Sequence, residues 1–103
     1  MFFHNLSPEE HERLSYLLEE LGETQHCIGK ILRHGYDSTH PEGGPTNRQM
    51  LSKELGDVFF AINWLVSNKD IDEDIIIEVA NKSKRGEINK YLHHNQVKTN
   101  GVE

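Results

Sequence analysis

Five carboxylates fall in two tight runs, Glu19-Glu20-Leu21-Gly22-Glu23 and Glu54-Leu55-Gly56-Asp57. Residues three apart on a helix project to one side, so Glu20 pairs with Glu23 and Glu54 with Asp57. Four such groups brought to one spot repel one another strongly unless a cation sits among them. Their oxygens are hard ligands that suit magnesium or manganese, and magnesium commonly bridges protein carboxylates to phosphates. Leu21, Leu55 and Val58 interleave with the acids, which puts the pairs beside apolar stripes and not in the middle of a polar face. Either pair alone reads as solvated helix surface. The two together point to a metal site.

Two long helices must position these groups. Ser7-Pro8-Glu9-Glu10 has the form of a capping box with proline at the first helical position. Leu14, Leu17, Leu18, Leu21, Ile28, Ile31 and Leu32 then recur at helical spacing, which predicts a helix from about Pro8 to about Arg33. Gly22 and Gly29 inside it leave bare backbone where another helix or a ligand can come close, unless they are simply tolerated. His34 to Pro45 holds three glycines and two prolines and is the one long connector, read either as a substrate-facing lid or as a plain surface loop. Thr46-Asn47-Arg48-Gln49 starts a second helix that runs to about Ser67 along Met50, Leu51, Leu55, Val58, Phe59, Ile62, Leu65 and Val66. One connection joins the two helices, so an antiparallel hairpin is expected. Asp70-Ile71-Asp72-Glu73 caps a third helix, with Ile75, Ile76, Val79 and Ala80 expected on its buried side. A short fourth helix is expected over Gly86 to His94, and a frayed tail over 96–103.

The predicted architecture is all-α: one domain over 1–95 of three to four helices, with the two long antiparallel ones at its centre. The chain has 103 residues, of which 35% are hydrophobic. That content is low for a globular chain, yet the second helix is too apolar for a small monomer to cover. Completion of the core against another copy of the chain follows. The net charge of −6 argues against a nucleic-acid surface, which needs basic residues to neutralise phosphates. Residues 1–57 hold ten acidic and five basic side chains, while 82–90 hold four basic and one acidic. Cys27 is the one cysteine, the first residues lack a signal-peptide pattern, and no apolar run approaches a membrane span. A cytoplasmic protein without membrane contact is expected.

The runs Leu17-Leu18-Glu19-Glu20-Leu21-Gly22-Glu23 and Leu51-Ser52-Lys53-Glu54-Leu55-Gly56-Asp57-Val58 resemble the two core helices of the MazG-like all-α nucleoside triphosphate pyrophosphohydrolases. That group includes dimeric dUTPases, dCTP pyrophosphatases and phosphoribosyl-ATP pyrophosphatases. The likeness extends over about residues 10–92. It implies magnesium-dependent cleavage between the α and β phosphates, releasing a nucleoside monophosphate and pyrophosphate. Residue matching implies Glu20, Glu23, Glu54 and Asp57 as magnesium ligands, with manganese a substitute. Glu19 would support them, as a second-metal ligand or as the base that orients water. Asn81, Lys82, Lys84 and Arg85 would hold the phosphates, consistent with the grip of Arg and Lys on phosphate. The alternative for these cations is compensation of a helix C-terminus.

Two other readings compete. Glu20, Glu23 and His26 contain the Glu-x-x-His step of di-iron carboxylate proteins, but such sites need that step twice, on four long helices. A non-catalytic helical dimerisation or regulatory module would also fit the acidic, weakly apolar composition. It would tolerate Glu54→Gln or Asp57→Asn, which a metal enzyme would not. Trp64 and Phe59-Phe60 can stack on a nucleobase but read more simply as packing. Tyr36 and His40 are weaker base contacts, and neither His93-His94 nor His26-Cys27 makes a zinc set.

Overall fold

Ser7 starts the first helix with a complete capping box: its hydroxyl accepts the Glu10 N–H, and the Glu10 carboxylate accepts the Ser7 N–H. The computed structural model describes residues 5–83 and 85–95, and no strand occurs among them. Helix α1 spans Pro8–His34 and α2 spans Asn47–Ser67, the latter opened by a second complete capping box between Thr46 and Gln49. Each N-cap of this kind is worth about 1 kcal/mol. The connector between the helices turns through glycines at positive φ, Gly35 at 88°, Gly43 at 95° and Gly44 at 115°. These backbone conformations carry little penalty only without a Cβ.

The chain divides after Asp70 into two compact units. In the first, α1 and α2 pack as an antiparallel hairpin. Tyr16 meets Phe60 and Trp64 near the open end, and Asn47 Nδ2 donates to Gly35 O near the closed one. The three aromatic rings lie with centroids 6.0–6.1 Å apart, Tyr16 edge-on to both partners. Cys27, Val58, Ala61 and Leu65 form the buried strip between the helices. Arg13 Nε donates to Asp70 Oδ2 at 2.6 Å and its terminal NH2 to Oδ1 at 3.0 Å, fastening the start of α1 to the turn that follows α2.

The apolar stripes are wider than this strip. Leu18 is 72% exposed, Leu32 82% and Phe59 66%. Among the described residues the glycines of α1 serve no close approach: a Cβ added at Gly22 meets nothing within 4 Å, and one at Gly29 meets Arg33 Nη1 at 3.7 Å.

In the second unit α3 spans only Glu73–Glu78, capped by the Asp72 carboxylate, and continues as a π-helical turn over Val79–Ser83. The expected buried face of Ile75, Ile76, Val79 and Ala80 is exposed instead. The second unit's helical pieces, of six, five and four residues, are too short to build a layer that covers an apolar face. The expected helix over Gly86 to His94 shrinks to α4, Arg85–Ile88. Lys90 N–H and Tyr91 N–H bond back three residues, to Glu87 O and Ile88 O, closing turns where a helix would have continued. The expected frayed tail, 96–103, lies outside the described residues. No described helix is long and apolar enough to cross a membrane.

Candidate active site

Antiparallel pairing sets the acidic runs of α1 and α2 side by side. One carboxylate oxygen each from Glu20, Glu23 and Glu54 lies within 4.8 Å of the others. Glu20 and Glu54 are nearly enclosed, at 8% and 6% exposure, and Glu23 stands at the open edge. The Oε2 atoms of Glu20 and Glu54 are buried without a hydrogen-bond partner among the described residues. An enclosed carboxylate oxygen without a donor is costly to keep. A divalent cation held by hard oxygen donors removes that cost, so the residues present fit magnesium or manganese.

The protonation behaviour follows from the same crowding. Burial, then the charges of Asp57, Glu54 and Glu19, push the Glu20 carboxyl above its ordinary range, with Lys53 opposing. Glu23 is raised by a hydrogen bond shared with Glu54 and by the charges of Glu20 and Glu54. Thr24 Oγ1 donates to the Glu20 carbonyl at 2.8 Å, so this buried hydroxyl has a backbone partner.

Asp57, the fourth expected ligand, is not one of the three converging groups. Lys53 Nζ holds its Oδ2 at 3.2 Å and sits 3.8 Å from Glu54 Oε1. Asp57 is nonetheless close enough for its charge to act on Glu20 and Tyr16. Glu19 is exposed beside the cluster. His26 is exposed and joins no group of converging ligands among the described residues, so the di-iron reading gains no support there. Asn81 and Lys82 are exposed in the π-helical turn of the second unit. Lys84 lies outside the described residues, and Arg85 opens α4.

Two residues enter the site without having been singled out from sequence. Lys53 is the cation among the acids, and its own ammonium is held in the charged form by the hydrogen bond to Asp57 and by the charges of Asp57 and Glu54. Its spacing of four residues from Asp57 was the available signal. Tyr16, one turn before Glu20, has its hydroxyl pKa raised by burial and by the charges of Glu20 and Asp57. Only the packing against Phe60 and Trp64 reveals that position.

Carboxylates converging from both helices of a hairpin form a group that could hold a divalent cation. The chain belongs to the MazG nucleotide pyrophosphohydrolase domain family, whose model matches residues 9–93. No curated protein and no solved structure matches it.

Proposed function

We propose that the chain hydrolyses a nucleoside triphosphate to the monophosphate and pyrophosphate, with magnesium held by Glu20, Glu23, Glu54 and Asp57. The observation that carries this reading is the convergence of Glu20, Glu23 and Glu54 with two enclosed, unpartnered oxygens. When bound, the ion supplies positive charge that offsets the phosphate oxygens and makes a nearby water more acidic. Water oxygen adds to the α-phosphorus, the bond from that phosphorus to the bridging oxygen breaks, and pyrophosphate leaves with the electron pair. Glu19, exposed beside the cluster, takes the proton of the attacking water. Lys53 keeps Asp57 oriented and tempers the negative field that would otherwise repel a polyphosphate. Asn81, Lys82, Lys84 and Arg85 supply amide and cationic donors to the phosphates. Positioning and electrostatics supply most of the rate.

The same reading takes residues 1–95 as one functional domain. It places the chain in the cytoplasm, where the buried free thiol of Cys27 stays reduced. The exposed leucines and phenylalanines of α1 and α2 support assembly into a homodimer or homotetramer. Pyrophosphate release from a panel of common and modified triphosphates, with magnesium, manganese or EDTA, tests the reaction. Release from at least one triphosphate only with a divalent ion is expected; no release from any of them with either metal rejects it.

A further inference from the structure

The last turns of α1 and the connector to α2 border an open surface cavity of about 370 Å³. Lys30, Arg33, His34 and His40 line it with the polar Ser38 and Asn47, and among the described residues no carboxylate does. In a chain of net charge −6 that composition stands out. Arg13 and Arg48 are each held by an aspartate, whereas Lys30 and Arg33 make no ion pair among the described residues. His40 Nδ1 accepts the Glu42 backbone N–H at 3.1 Å, which puts the proton of a neutral ring on Nε2 as a donor. Asn47 fixes the wall: its Nδ2 donates to Gly35 O at 3.0 Å and its backbone N–H to Ser38 O at 3.0 Å.

Basic residues in a helix's last turn offset its macrodipole, an effect confined to about that turn. This accounts for Arg33 and His34. It does not account for Lys30, which comes before that turn, or for His40, which the connector brings back to the same cavity. We propose that the cavity binds a phosphate-bearing small molecule whose anionic oxygens are met by Lys30, Arg33 and His40. Arg grips two phosphate oxygens side by side, and Lys adds a point charge. The volume lies in the range of small-molecule sites. The site is distinct from the carboxylate cluster: Lys30 follows Glu23 by two helical turns on the same side of α1, about 10 Å along the axis.

Calorimetric titration of the full chain with inorganic pyrophosphate in EDTA tests this, because no divalent ion is then present to join phosphate to the carboxylates. Saturable one-to-one binding is expected, weakened at least about tenfold in the Lys30→Ala/Arg33→Ala double variant and retained in Glu54→Gln. Both replaced side chains are exposed, so the double variant keeps its unfolding midpoint. A parallel titration with adenosine monophosphate separates the sources. Tighter binding of the monophosphate assigns the cavity to the phosphate of a nucleotide, and tighter binding of pyrophosphate assigns it to a free polyphosphate anion. Absence of saturable binding for both, equal affinity in the double variant, or loss in Glu54→Gln alone overturns the proposal. None of these readouts involves turnover, so the cavity stands or falls apart from the pyrophosphohydrolase reading.

Discussion

Glu20 and Glu54 approach each other across the α1–α2 interface, each with an Oε2 atom enclosed and unpartnered. In the absence of a cation, that juxtaposition opposes folding. Replacing Glu54 by glutamine removes one of the repelling charges while keeping the shape. Glu54→Gln is expected to raise the unfolding midpoint in EDTA, to abolish the further rise on adding magnesium, and to lower turnover by at least about 100-fold. Thermal melts with and without magnesium, beside a pyrophosphate-release assay, check all three. A variant that melts lower in EDTA and still responds to magnesium would show that the cluster does not hold the ion.

The raised carboxyls of Glu20 and Glu23 set a sign for pH dependence. A carboxyl whose pKa is raised by folding stabilises the fold fully below its unfolded value, about 4.3 for glutamate, and loses that contribution as pH rises through the folded value. The metal-free protein is therefore expected to lose stability from these two groups as pH rises above about 4.3. Magnesium at about 100 times its dissociation constant adds about 2.7 kcal/mol and reverses the trend, since it binds the ionised form. Denaturation midpoints across pH, with EDTA or magnesium, show whether the two slopes differ in sign.

Asp70 behaves in the opposite sense. Its hydrogen bonds to Arg13 hold the carboxyl below the usual aspartate range. The stabilisation is present above the unfolded value of about 3.9 and is lost as pH falls through the folded one. Asp70→Asn is expected to lower the neutral-pH unfolding midpoint and to flatten the acid limb of the stability profile. An unchanged acid limb would mean that the Arg13 contact persists in the unfolded chain or contributes nothing.

Among the described residues Leu65 is the largest fully buried side chain, at 1% exposure, and it packs in the strip that joins the two helices. Leu65→Ala removes its contacts and leaves a cavity, for a loss of about 2–5 kcal/mol. Urea unfolding measures this as a lower midpoint at unchanged slope.

Leu18, Leu32 and Phe59 are largely exposed in the single chain. Light scattering is expected to give a mass at least twice the 11.9 kDa of one chain. Phe59→Asp is expected to shift it toward one chain without breaking the buried strip of Val58, Ala61 and Leu65. A monomeric wild-type chain at micromolar concentration would contradict the proposed assembly.

The sequence by itself determined the long elements and their ends. Both capping boxes were readable because their reciprocal hydrogen bonds depend on residues three apart, and α1 and α2 begin where those boxes stand. The acidic pairs were legible for the same reason: helical spacing alone puts Glu20 beside Glu23. Only the tertiary structure decided which acids meet across the hairpin. Glu54 turns inward to the α1 pair, while Asp57, one turn on, is engaged by Lys53. It also decided that Ile75, Ile76 and Val79 stay exposed, on a helix of only six residues that gives way to a π-helical turn. The gathering of Lys30, Arg33 and His40 at one cavity depends on the path of a connector whose glycines take positive φ. Local spacing fixes hydrogen bonds within a turn or two, whereas convergence between elements depends on register and loop path, which no short sequence window contains.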